Sequence, residues 1–195
     1  MKEFRMNKPA TDVPLYRRLL GADFDRLPPA VRALHDLRDR SVWTGRADVE
    51  RGASIVCKVI AAIAGLPPAG PDQPLTVTFN AENGAEIWHR SFDRSVFRTR
   101  QTLGAGVILE KAGPARLTLA PKVSAEGLSL ALAGVHVLGI PAPRILLPNV
   151  ETREYEKDGR YYFTVEARIS YFGLLVRYAG WLEATPVFHS TRMQE

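Results

Sequence analysis

Beyond Pro68 the chain alternates apolar and polar residues in short runs broken by turn signals, and the helical period of the earlier segments disappears almost to the end. Two dipeptides anchor this pattern. Asn83-Gly84 lies between the runs 75–79 and 87–92, and Asp158-Gly159 lies between 150–155 and 161–168; both supply the positive φ angles of tight hairpin turns. Further runs at 96–103, 107–110, 116–121, 128–138 and 174–182, with turns at Gly113-Pro114 and Glu126-Gly127, bring the expectation to about nine strands. Consecutive hairpins predict antiparallel pairing, because a parallel neighbour needs a crossover and only one helix is available in this half. The proline-rich stretch 139–148 predicts an irregular corner or an edge.

The N-terminal part reads as two short helices. Asp12 is a candidate N-cap with Pro14 in the first turn, where a missing N–H does no harm, and Tyr16, Leu19 and Leu20 share a face. Pro28-Pro29 open the second helix, in which Val31 and Leu34 repeat at helical spacing just after Leu27. Both predict amphipathic covers. A strand follows at 42–49, with Trp43 and a Gly45 that marks either a bulge or the close approach of another backbone. The segment 53–64 is apolar nearly all round and is stopped by Gly65 with Pro67 and Pro68 beyond, which predicts one buried helix.

The class expected is therefore α+β: a curved antiparallel sheet of about nine strands, one buried helix and two short N-terminal helices. A sheet that wide curls or splits as strand twist accumulates. One helix is too little to fill a wide curl, so the expectation is a half-barrel or open barrel with a partly open, apolar cup. A fully packed barrel is the alternative.

Composition narrows the function classes. With 195 residues, 46% hydrophobic and 24% charged, the chain reads as one globular domain over 1–195, divided into a helical cover (12–36), a helix-plus-sheet core (42–184) and a tail (185–195). A lone Cys57 makes no intrachain disulfide, and Lys2 and Arg5 are followed by no apolar run of signal-peptide length. The longest apolar stretch, 55–66, is interrupted by Lys58 and falls short of the roughly 20 residues that span a bilayer. A cytoplasmic location with at most peripheral membrane contact is expected. The net charge is +5, yet the basic residues are scattered, so no nucleic-acid partner is expected. Arg94, Arg98 and Arg100, close to Arg90, form the densest positive patch and read as a solvated face.

Motifs for chemistry are sparse. Gly104-Ala105-Gly106 lacks the third glycine of a dinucleotide loop and reads as a turn. His35, His89, His136 and His189 stand far apart, so no metal and no cofactor is expected. The suggestive set is Trp88, Arg90 and Phe92, which alternate in a strand and project from one side, placing an arginine between two aromatics. Facing inward, that guanidinium could pair with a carboxylate or phosphate; facing outward, it would stack on the rings and stay partly wet. His136 falls on one strand face with Leu128, Leu130, Leu132, Gly134 and Leu138, where it reads either as a core histidine bonded to a neighbour or as a group pointing into a cup. In the last strand Arg177 and Trp181 share one face and Tyr178 takes the other.

Several signatures occur in order: Leu15-Tyr16-Arg17-Arg18-Leu19-Leu20-Gly21 followed by the segment 24–28, Trp43-Thr44-Gly45 with Arg51-Gly52, Trp88-His89-Arg90-Ser91-Phe92, Glu110 with Gly113-Pro114, and Phe172-Gly173-Leu174-Leu175-Val176 through Tyr178, Gly180, Trp181 and Leu182. Together they resemble the bacterial domain of unknown function 4166 family over most of the chain. The resemblance supplies no catalytic residue. Similar members occur fused behind dehydrogenase-like or reductase-like domains, which implies a partner or accessory role. Three readings stay open: a module that binds a small lipophilic ligand of lipid or acyl type, through Trp88, Arg90, Phe92, His136, Arg177, Tyr178 and Trp181; a hydrolase or isomerase using the same cup, with Arg90 as oxyanion partner and His136 or Glu110 as base; and an interaction domain that partners a dehydrogenase-like protein.

Overall fold

In the computed structural model, which describes residues 13–93 and 95–185, every one of the alternating runs is a strand. They are β1 (Arg40–Arg51), β2 (Gly70–Glu82), β3 (Ala85–Phe92), β4 (Ser95–Leu103), β5 (Ile108–Ala112), β6 (Ala115–Ser124), β7 (Gly127–Val137), β9 (Pro148–Lys157), β10 (Arg160–Ile169) and β11 (Gly173–Ala184). A two-residue β8 (Ile140–Pro141) adds to β7 within the proline-rich corner. The order is β6-β5-β4-β3-β2-β1-β11-β10-β9-β7-β8, with β6 also paired to β7. All pairs are antiparallel.

That last pairing corrects the expected architecture. The sheet is a closed barrel of ten strands plus β8, where a half-barrel or open barrel of about nine was expected. Closure leaves no unpaired edge among the ten, and a free edge is what a wide sheet must otherwise protect. The two asparagine- or aspartate-glycine turns behave as read: φ is 50° and 75° at Asn83 and Gly84, and 53° and 73° at Asp158 and Gly159.

Gly45 marks a close approach. A Cβ there would lie 1.9 Å from the carbonyl oxygen of Trp181, and one at Gly180 would lie 2.1 Å from that of Arg46. The β1–β11 seam, in which Gly45 faces Leu182 and Ala47 faces Gly180, therefore packs backbone on backbone at a distance that a side chain would prevent.

One end of the barrel is closed by the N-terminal helices. These are α1 (Leu15–Leu20), a 3-10 turn (Gly21–Arg26) and α2 (Pro29–His35), and they bury Tyr16, Phe24, Val31 and Leu34 completely. Pro14 occupies the N-cap position of α1; Asp12 lies outside the described residues. At α2 the cap comes from far along the chain, because the Ala30 amide donates to Glu156 Oε2 of β9 at 2.6 Å. A carboxylate there satisfies a free helix N–H and meets the positive end of the helix dipole.

The third helix, α3 (Ile55–Ile63), is not the buried helix expected from its composition. Only Cys57 and Ala61 are buried, whereas Ile55, Val59 and Ile63 are 78%, 52% and 64% exposed. With the sheet closed, the helix lies at the rim of the barrel end opposite the cap. It docks through one narrow stripe, residues one turn apart, with the Cys57 thiol 3.5 Å from the Phe172 carbonyl.

Because Gly45 has no room for a methyl group, Gly45→Ala should force β1 and β11 apart and lower stability by about 2 kcal/mol or more. Equilibrium denaturation checks this, and a variant as stable as the wild type would contradict the seam.

Candidate functional site

Inward-facing side chains do not fill the barrel. They enclose a cavity of about 520 Å³, walled by apolar residues such as Leu75, Val77, Phe92, Leu117, Leu119 and Val150. Leu34 and Tyr16 of the cap, both fully buried, close it at one end. At the other end it is lined by Ala64 and Leu66 after α3 and by Ile140, Ala142 and Leu146 of the corner, of which Ile140 is 70% exposed. The cavity thus has a floor under the cap and a mouth beside α3.

Polar groups gather near the floor. Arg90 of β3 donates to Thr99 Oγ1 at 3.0 Å, sits 4.6 Å from the Trp88 ring, and lies 3.9 Å from Glu110 Oε1. That last separation is an ion pair, too long for a direct hydrogen bond, so the guanidinium keeps donor capacity toward the cavity. The Tyr16 hydroxyl donates to Gln101 Oε1 at 3.0 Å. Glu154 of β9 meets His35 Nε2 of α2 at 2.5 Å, and the His35 ring lies tilted against Tyr16 with centroids 3.8 Å apart.

The tyrosines register how dry this region is. Burial, reinforced by nearby Glu154, raises the hydroxyls of Tyr16 and Tyr161 well above the usual tyrosine value. Burial also raises Tyr178, with Arg90 acting in the opposite direction. These groups stay protonated and are hydrogen-bond donors at neutral pH.

Of the residues singled out from sequence, Trp88, Arg90, Phe92 and Tyr178 line the cavity. His136 does not, and the reason is a bulge. Leu119 pairs with Leu132 but Thr118 pairs with Gly134, so Ala133 is the extra residue and the faces of β7 exchange beyond it. Val135 and Val137 then line the cavity, while His136 is exposed; the expectation that it shares the face of Leu128, Leu130 and Leu132 is corrected, and it is unavailable as a base in the cup. Arg177 and Trp181 lie on the outer wall, since Tyr178 and Leu182 take the inner face of β11. Outside, Arg177 lies between Glu50 and Glu166 at 3.9 and 3.7 Å, and Arg160 covers the Trp181 ring at 4.4 Å.

Arg98 and Arg100 are exposed on the outer face of β4; Arg94 and His189 lie outside the described residues. Tyr16, Gln101, Glu154 and Tyr161 line the floor and were not identified from sequence as site residues. In β9 the inward Glu154 alternates with outward Arg153 and Tyr155, so both faces of that strand are polar and alternation alone does not pick the inner one.

Beneath the floor, Glu86 is buried and accepts from the Trp88 indole N–H at 3.1 Å. Burial raises its carboxyl above the ordinary value of 4.5, partly offset by nearby His35. The folded state therefore holds this proton more tightly than the unfolded chain, so the group's contribution to stability is greatest below that ordinary value and falls as pH rises through the raised one. Glu86→Gln should raise the thermal midpoint at neutral pH, with the gain shrinking as pH falls toward 4.5. Melting curves across that range check it, and a constant difference at all pH values would refute the assignment.

No curated protein matches the chain. Among solved structures, the crystal structure of Rv2717c from M. tuberculosis aligns with a TM-score of 0.43 and 13% sequence identity, over 82% of this chain and 99% of that one. The family model described as a domain of unknown function, DUF4166, matches residues 27–182, and the chain belongs to that family.

Proposed function

We propose that the protein binds a small amphipathic molecule of lipid or acyl type, with its apolar body in the barrel and its polar end beside Arg90. The supporting observation is the cavity of about 520 Å³ lined mainly by apolar side chains. Voids in ordinary cores rarely exceed a water molecule, whereas ligand sites run from about 300 to 1,000 Å³.

The gradient of chemistry along the cavity supports this orientation. Apolar walls extend to the mouth, and polar groups converge at the floor, where Arg90 has donor capacity for a carboxylate, phosphate or hydroxyl end. Trp88 and Thr99 fix the guanidinium, so little side-chain freedom remains to be lost on binding.

Native mass spectrometry of the purified protein should show a lipophilic adduct, and the delipidated protein should take up one molecule of an environment-sensitive apolar dye. Leu117→Trp, which adds bulk on the cavity wall, should weaken dye binding by about tenfold or more without lowering the melting temperature. Equal dye binding by that variant, or none by the wild type, refutes the reading.

Arg90→Met should weaken a fluorescent fatty acid by roughly 10- to 100-fold, the usual range for a lost charged hydrogen bond, while a neutral dye changes little and Arg90→Lys falls between. Parallel losses for both probes would place the polar end elsewhere.

A further inference from the structure

The exposed apolar side chains are distributed unevenly between the two ends of the barrel. Because successive strands run antiparallel, the connection through α3, the β3–β4, β5–β6 and β10–β11 turns and the 138–147 corner all fall at the mouth. There α3 presents Ile55, Val59 and Ile63, spaced four apart on one outward face. The corner presents Leu138, Ile140 and Ile145, with Leu138 81% exposed, and Tyr171 stands out from the β10–β11 turn. At the capped end the connections are Asn83-Gly84, residues 104–107, Ala125-Glu126 and Asp158-Gly159, mostly polar or small, and the exposed large apolar side chains there are fewer, Val13 at 46% and Leu103 at 36% among them.

Cations surround this apolar rim. Lys58 on α3, Lys111 and Arg116 beside the β5–β6 turn, and Arg144 in the corner are all exposed, and none forms an ion pair among the described residues. Lys111 and Arg116 are direct cross-strand partners. Like charges placed opposite each other destabilise a strand pair, and an anionic surface would neutralise both. The α3 and β5–β6 segments are contiguous, since a Cβ on Gly113 would lie 4.0 Å from the Ile63 carbonyl.

We propose that the mouth end docks on a membrane surface that contains anionic phospholipid. The outer face of α3 and the tip of the corner insert among the acyl chains, and Lys58, Lys111, Arg116 and Arg144 meet the phosphates. Apolar side chains on several separate protrusions, interleaved with lysine and arginine, match an interface with a hydrocarbon interior and a charged surface. No described helix is long and apolar enough to cross a membrane; the attachment proposed is peripheral. The docked orientation puts the mouth against the bilayer, and an apolar ligand would then pass between lipid and cavity without crossing water; this transfer rests on the ligand-binding reading, while the docking stands on the rim alone.

Flotation of the full chain with vesicles of phosphatidylcholine, alone or mixed with phosphatidylglycerol, tests the docking. Binding should be about tenfold stronger or more to the mixed vesicles. Val59→Asp with Ile63→Asp, and separately Lys111→Glu with Arg116→Glu, should each reduce it by about tenfold or more. Lys122→Glu with Lys157→Glu, at the capped end, should leave it unchanged. Melting curves confirm that each variant is folded, and dye uptake in each separates the two ideas: vesicle binding without dye uptake removes the carrier reading only, and dye uptake without vesicle binding removes the docking only. Docking is overturned by absence of flotation with mixed vesicles or by equal losses from capped-end and mouth reversals. It is also overturned by a dimer in sedimentation that the Val59 and Ile63 changes dissociate, which would make the rim a contact between two copies.

Discussion

β7 hydrogen-bonds to β6 along one side and to β9 along the other, and this double pairing turns a twisted sheet into a barrel. Ring size then follows from strand number, since the diameter of a closed sheet grows with each added strand and about eight strands already make an interior that side chains just fill. Ten strands make a wider one. The void, its apolar wall and the inward placement of Arg90 are all consequences of that one closure, because a slip of a single residue in any ladder would reverse which side chains face in.

Within the cavity the distribution of polarity is as informative as the volume. Charged and hydroxyl groups cluster where the helices seal the barrel, and aliphatic groups take over toward the open end. Buried polar atoms are costly unless partnered, and the floor partners most of its groups across separate elements: Arg90 with Thr99, Tyr16 with Gln101, and Glu154 with His35, while His35 Nδ1 and Glu86 Oε1 stay buried without a hydrogen-bond partner. A polar floor beneath an apolar wall suits the amphipathic ligand proposed above.

Local order was readable from sequence because the features that encode it are local. The two hairpins follow from dipeptides with positive φ, the strands from alternation, and the close approach at Gly45 from a glycine in a strand. That Trp88, Arg90 and Phe92 share one face followed from their spacing, but that this face lines the cavity did not. What depends on long-range pairing was not readable: the closure of β7 onto β6 and β9, and the bulge at Ala133 that turns His136 outward, since one extra residue in a ladder leaves no compositional trace. The helix α3 misled for a related reason. An apolar composition all round normally signals burial, but in this chain the barrel had already closed without the helix, which was left at the rim with its surplus apolar faces in the open.

The lid over the floor has a dependence that bears on how the chain is made. Its helices are six and seven residues long, well below the length at which isolated helices persist in water, and α2 obtains both its N-terminal partner, Glu156, and the partner of its last residue, His35, from β9. More than one hundred residues must be synthesised after the lid emerges before those acids exist. The lid is thus made well before the acids it depends on, and its contacts with β9 cannot form until that strand exists.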